Sequence, residues 1–373
     1  MKNILTILSF AGVLVGQPSF TAIDITTSAD GANDVYAVDL DNDGDMDVVS
    51  ASYSDDKIAW YENNGSQSFT THTISIVPNT DGPSSVYAVD MDNDGDMDLV
   101  SASSLFPNSE IAWYENNSTA GGITGWNTTV ISDASNGASD VYAIDLDRDG
   151  DKDVIAASYS ADAVVWWEND GAATPSFTGN IITTSADGVQ SVFAIDLDND
   201  GDIDVLSASE NDDKIAWYEN NGSQTFSAFT ISSDADRAVS LHALDLDNDG
   251  DIDVVSASEG DDKLAWYENN GAADPSFTAR TITTSADGAS NLFTIDLDTD
   301  GDIDIIFVDS NDKIAWFENN GAQSFTVNTI QTGGGYYLAN ALYAIDLDDD
   351  GDKDVLYATS NNNTIGWYEN NGS

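Results

Sequence analysis

Nine residues, Asp39-Leu40-Asp41-Asn42-Asp43-Gly44-Asp45-Met46-Asp47, place five carboxylates at alternate positions around one glycine. Carboxylates so spaced can converge on a single hard cation, and the stretch has no His or Cys to suit zinc. Several anionic oxygens on a flexible backbone favour calcium over magnesium. Asp39, Asp41, Asp43 and Asp47 are assigned as side-chain ligands and Asp45 as a ligand through its backbone carbonyl. Gly44 permits the sharp turn that a β-carbon would oppose. The pattern recurs six more times. It gives the further ligand sets Asp90, Asp92, Asp94, Asp96 and Asp98; Asp145, Asp147, Asp149, Asp151 and Asp153; Asp196, Asp198, Asp200, Asp202 and Asp204; Asp245, Asp247, Asp249, Asp251 and Asp253; Asp296, Asp298, Asp300, Asp302 and Asp304; and Asp346, Asp348, Asp350, Asp352 and Asp354. Up to seven calcium ions, one per repeat, are expected. An EF-hand would need a glutamate at position 12 and flanking helices, whereas position 12 here is Ser50 and both flanks read as strands. A merely solvated acidic turn does not account for seven copies with the same glycine and the same five aspartates.

The elements that must hold these loops repeat with a period of about 50 residues, in the range of propellers and solenoids. In the first unit Val35-Tyr36-Ala37-Val38 leads into the acidic loop and Val48-Val49-Ser50-Ala51-Ser52 leads out of it. A polar turn, Tyr53-Ser54-Asp55-Asp56, precedes a third strand, Lys57-Ile58-Ala59-Trp60-Tyr61-Glu62. Asn63-Asn64-Gly65 then supplies a tight reversal into Phe69-Thr70-Thr71-His72-Thr73-Ile74. Four short antiparallel strands are the content of one propeller blade. Trp60, Trp113, Trp166, Trp217, Trp266, Trp316 and Trp367 fall once per unit. They could form a sugar-stacking stripe, but one fixed position in every unit reads as blade-to-blade core. The same reading is given to Tyr36, Tyr87, Tyr142 and Tyr343, and to Phe193, His242 and Phe293 in the equivalent place.

The seventh unit stops at Asn370-Asn371-Gly372-Ser373, where a fourth strand should follow. Pro18 to Gly31 closely matches Pro275 to Gly288, a fourth strand and its following loop. The N-terminal segment can therefore complete the last blade and remove two exposed strand edges. The expected fold is an all-β, seven-bladed β-propeller of four-stranded antiparallel blades, closed by the N-terminal strand joining the last blade. Met1-Lys2-Asn3, an apolar run from Ile4 to Val15, and Gly16-Gln17 have the pattern of a secretory signal. Residues 1–17 are read as that signal and 18–373 as one propeller, with no membrane span after signal removal.

The chain carries 67 acidic and 10 basic residues, a net charge of −57, and about half of the acid lies in the seven loops. Such charge repels phosphate backbones and anionic lipid, so nucleic acid is excluded as a partner. With 9 Trp, 14 Tyr and 13 Phe there is material for a core, and with no cysteine there are no disulfide staples.

The units resemble the FG-GAP or VCBS-type repeats of integrin-α-like propellers, whose first-to-second strand loops carry D-x-D-x-D-G-x-x-D. The resemblance covers nearly all of residues 18–373. It implies calcium in those loops, a seven-bladed ring, and ligand binding mainly on the opposite face. All seven units keep the loop, which implies a structural metal.

Catalysis finds little support. His72 and His242 are the only histidines, and both read as tolerated strand substitutions. No nucleophile elbow or phosphate loop is present. Glutamates such as Glu62 and Glu219 are expected to bond the Asn-Asn-Gly turn. The reading is a secreted or cell-surface, monomeric binding or adhesion module for an extracellular carbohydrate or protein. A calcium-dependent polysaccharide lyase and a pure scaffold are the alternatives. Two pattern breaks, Ser104 to Asn108 and Gln331 to Tyr337, nominate Phe106, Tyr336 and Tyr337 as ligand contacts on the face away from the calcium loops.

Overall fold

Residues 32–75 form four antiparallel strands, Ala32–Val38, Asp47–Ser52, Lys57–Asn63 and Phe69–Ser75, each hydrogen-bonded to the next. The boundaries follow the turn chemistry: Asp56 at φ 53° and Gly65 at φ 70° occupy left-handed conformations between strands. Every residue of Asp47–Ser52 is buried, because this strand has a neighbouring blade on each face. Its small and β-branched residues, Val48, Val49 and Ala51, suit that position. The outer strand Phe69–Ser75 is largely exposed along its length. This is a computed structural model that describes residues 17–75, 82–105, 109–119, 122–172, 174–311, 313–332 and 339–372.

Seven such four-stranded sheets form the ring. Blades 1 to 7 are numbered by their acidic loops, from 39–47 to 346–354. The seventh sheet contains the strand Phe20–Thr26 paired to Thr364–Asn370, with Phe20 opposite Asn370 and Ile23 opposite Trp367. The closure expected from the sequence is thus present. Each hydrophobic cluster spans a blade junction: Val49, Ile58 and Trp60 of blade 1 meet Val86, Leu99 and Tyr114 of blade 2. The seven third-strand tryptophans are all buried, the most exposed being Trp60 at 5%. They pack the core as expected.

The first-strand aromatics do something more. Tyr36, Tyr87, Tyr142, Phe193, His242, Phe293 and Tyr343 touch in sequence around the molecular axis, with neighbouring centroids 4.5 to 5.5 Å apart, and Tyr343 returns to Tyr36. They form a hub lining the central channel. They pack between blades as expected, Tyr36, Tyr87, Tyr142, Phe193, Phe293 and Tyr343 each against a junction cluster, and they also close a ring about the axis.

A departure in blade 7 carries a prediction. In blade 1 the Ser50 hydroxyl lies 3.2 Å from the Tyr61 hydroxyl, and Ser101–Tyr114 and Ser207–Tyr218 repeat the pair at 3.2 and 3.1 Å. In blade 7 the serine is replaced by Tyr357 and the facing alanine by Gly366. The Tyr357 hydroxyl donates to Asp24 Oδ1 of the closing strand at 3.4 Å. A β-carbon at Gly366 would stand 2.6 Å from that hydroxyl and 2.9 Å from the Ile23 carbonyl. Gly366→Ala is expected to destabilise by about 1–3 kcal/mol through overpacking. Adding Tyr357→Ser removes the tyrosine contacts and should recover part of the loss in thermal melts, while the contact with the Ile23 carbonyl remains. An unrescued double variant would refute the account.

Candidate metal centre

Each acidic loop joins the first two strands of its blade, so all seven lie at one end of the ring. The loop conformation follows from short side chains bonding nearby backbone N–H groups. Asp39 accepts from the N–H of Asp43 and of Gly44, both at 3.1 Å, and Asp43 accepts from the N–H of Asp45 at 2.9 Å. Asn42 sits at φ 61° and Gly44 at φ 102°. A β-carbon at Gly44 would meet nothing within 4 Å, so backbone conformation and not crowding requires the glycine.

The side chains at positions 1 and 3 converge in the loops of blades 1 to 5. Ligand oxygens of Asp39, Asp41 and Asp43 lie within 4.8 Å of one another, as do those of Asp90, Asp92 and Asp94, and of Asp245, Asp247 and Asp249. In blades 3 and 4 the third member is position 9, giving Asp145, Asp147 and Asp153, and Asp196, Asp198 and Asp204. Asp145 Oδ1, Asp196 Oδ1 and Asp346 Oδ1 are buried without a hydrogen-bond partner. An all-oxygen set with orphaned carboxylate atoms fits a hard divalent cation.

Position 9 has a second task. Asp47 is fully buried; its Oδ1 accepts the Asn63 N–H at 2.7 Å and its Oδ2 the Leu40 N–H at 3.1 Å. The same pair of bonds recurs in the other blades, as at Asp98 and Asp354. This carboxylate clamps the loop to the end of the third strand. The position 7 side chain is directed to the loop's surroundings. A β-carbon on Gly65 would come within 2.5 Å of Asp45 Oδ2, and Asn42 donates to Asp96 of the next loop at 3.0 Å. Those contacts involve the position 7 carboxylates of blades 1 and 2.

Residues that the sequence reading took only for turn formers complete the assembly. Asn63 donates to the Met46 carbonyl at 3.1 Å and accepts the Gly65 N–H at 3.2 Å. Its equivalents also reach back one blade: Asn116 donates to the Leu40 carbonyl at 3.0 Å and Asn169 to that of Met91 at 3.2 Å. Five of the loops are stapled in this way to the following blade. The recurrence of Asn-Asn-Gly signalled the position, but not the bond across the junction. The glutamates bond the outer strand and not the turn: Glu62 lies 2.7 Å from His72 Nε2, Glu115 accepts from Asn127 at 3.0 Å, and Glu318 from Asn328 at 3.0 Å. Phe106, Tyr336 and Tyr337 lie outside the described residues.

Burial is the main influence on the acidity of the loop carboxylates. Burial, offset by the Asn63 and Leu40 N–H groups, pushes Asp47 up to about 7. Asp98, Asp153, Asp204, Asp253 and Asp354 are likewise raised to about 7 and Asp304 to about 8. Desolvation and the neighbouring aspartates also raise position 3, as at Asp41 and Asp92. A folded-state carboxylate pKa above its unfolded value favours the fold below the unfolded pKa, and that contribution is lost as pH rises through the folded value. Chelator-treated protein is therefore expected to melt several degrees higher at pH 5.5 than at pH 8. With calcium the order should reverse, because protons then compete with the ion. Equal melting temperatures at both pH values in chelator would refute this.

A comparison with curated proteins returned no match. Among solved structures, crystal structures of BBS1N in complex with ARL6DN, soaked with lead and with mercury, superpose with a TM-score of 0.62 at 13% identity. The first covers 94% of this chain and 97% of its own, the second 93% and 96%. At that identity the likeness is one of fold. The FG-GAP-like repeat matches residues 39–101, 145–207, 196–256, 245–307 and 296–357. All seven acidic loops fall inside those matches, which cover well over half of the chain. The chain belongs to the FG-GAP-like repeat family.

Proposed function

We propose that this protein is a secreted or cell-surface, non-catalytic binding module whose blades are stapled by calcium, and that it engages an extracellular carbohydrate or protein. The observation that carries the reading is the convergence of loop carboxylates to within 4.8 Å at one end of the ring. With a net charge of −57, that arrangement calls for bound cations. Asp39, Asp41, Asp43 and Asp47 and their counterparts would hold the ion, with the position 7 backbone. The ion would supply charge neutralisation and rigidity. Binding as the role draws support from the similar BBS1N propeller, described in complex with ARL6DN. Among the described residues no helix is long and apolar enough to cross a membrane.

The test combines calorimetric titration of calcium into chelator-treated protein with a glycan array and an adhesion assay. Several calcium ions per chain and retention on a glycan or surface are expected, with no turnover. Release of unsaturated product from an acidic polysaccharide would overturn the non-catalytic reading. Absence of calcium uptake would overturn the metal.

A further inference from the structure

The axis of the ring holds a built cavity on the side away from the acidic loops. Five inner strands carry a bulge near their start, as between Ala32 and Asp34 and between Ala138 and Asp140, and a sixth, from Pro83, does the same. The bulge turns two consecutive side chains, such as Asn33 and Asp34, toward the axis. They surround a mouth of about 290 Å³. Below it a chamber of about 320 Å³ reaches down to the aromatic hub. Each is at the lower end of ligand-sized cavities, with room for one ring-sized molecule.

The lining is chemically mixed. Asp34 and Asp140 bond the backbone of the next blade, to Val86 N–H at 2.8 Å and Val192 N–H at 3.0 Å, and Asp140 also accepts from the Ser85 hydroxyl at 3.1 Å. Asn291 accepts the Leu342 N–H at 3.3 Å through Oδ1, and its Nδ2 donates to no protein group among the described residues. The hydroxyls of Tyr36, Tyr87, Tyr142 and Tyr343 neighbour one another on one arc of the hub, adding donors that can also accept. The other arc, Phe193, His242 and Phe293, is aromatic; burial holds His242 neutral by lowering it to about 4, and its Nδ1 bonds the Thr294 hydroxyl. No lysine or arginine lines either part.

We propose that this axial chamber binds one neutral pyranose, free or at the end of a glycan, a proposal that deepens the carbohydrate-binding reading and rests on it. A sugar presents hydroxyls that donate and accept, together with apolar C–H faces, and the chamber offers the complement of each. An anion is repelled by Asp34, Asp140 and the molecule's own field. An amine would leave the Asn291 amide donor without an acceptor. A purely apolar ligand would strand two carboxylates out of water.

The test is calorimetric titration of the full calcium-loaded chain with methyl α-mannoside, methyl β-galactoside and N-acetylglucosamine, alongside a glycan array. Asn291→Asp keeps the acceptor for Leu342 and removes the free donor, while Tyr87→Phe with Tyr142→Phe keeps the rings and removes two hydroxyls. Each is expected to weaken binding at least tenfold with an unchanged melting temperature. Ile181→Thr, on an outer strand and 68% exposed, should bind as wild type does. Glycan binding that ignores the chamber variants overturns the site and leaves the broader reading standing. Failure to bind any of the three sugars or any array glycan overturns the site and the carbohydrate reading together. Chamber-dependent binding of butylamine without sugar binding overturns the sugar assignment.

Discussion

Chelation of calcium is expected to lower the melting temperature by about 10 °C or more, the largest effect of any single change in conditions. At free calcium about tenfold above the dissociation constant, one site stabilises by about 1.4 kcal/mol. Seven sites of that strength would contribute about 10 kcal/mol, comparable with the whole stability of an ordinary domain. Their removal costs more than the sum of lost contacts. Without an ion, Asp39, Asp41 and Asp43 hold like charges within 4.8 Å of one another. The check is differential scanning calorimetry in calcium and in EDTA, repeated with Asp41→Asn. That variant should remove about one-seventh of the calcium-dependent shift, since well-separated loops act additively. An unchanged melting temperature in EDTA would sink the structural metal.

The second large effect concerns ring closure. Deleting residues 18–27 removes the strand Phe20–Thr26, whose partner Thr364–Asn370 carries Trp367. Ile23 and Ile25 pack against the cluster containing Trp367, and Phe20 against the cluster of Tyr357 and Tyr368. The deletion exposes that surface and leaves an unpaired edge. Loss of cooperative melting and aggregation are expected. The sharper form of the experiment moves residues 18–31 to follow Ser373. The same strand then completes the same blade from the other end of the chain, and the melting temperature should return to within a few degrees of wild type. If the relocated strand fails to restore folding, pairing alone does not explain the closure.

The architecture was legible because repetition multiplies weak signals. One run such as Val35 to Val38 is ambiguous, but seven runs at equal spacing, with the Pro18 segment matching a fourth strand, define the blade and its closure. The acidic loop was legible for the same reason. The division of labour inside it was not. Spacing marks Asp41 and Asp47 as equivalent alternating aspartates, whereas burial separates them. Asp47 lies under the loop against the Asn63 N–H, and Asp41 at its rim. The packing role of the hub aromatics was legible but their ring was not, because alternation says which residues share a strand face, and ring geometry decides that they meet around an axis. The Tyr357–Gly366 exchange involves two residues that meet only through strand pairing, and neither is unusual alone. The bond from Asn116 to Leu40 joins positions 76 residues apart, beyond the reach of any local pattern.

The closing strand also fixes an orientation. Phe20 lies opposite Asn370, and the Asn370 N–H bonds Asp354 at the end of an acidic loop. Both ends of the described chain therefore emerge side by side at the acidic rim of one blade. Anything joined to either end, whether a tether, a neighbouring domain or a fused label, attaches on that side. The axial mouth points the other way, so anchoring the protein would display its chamber outward and keep the attachment clear of whatever enters it.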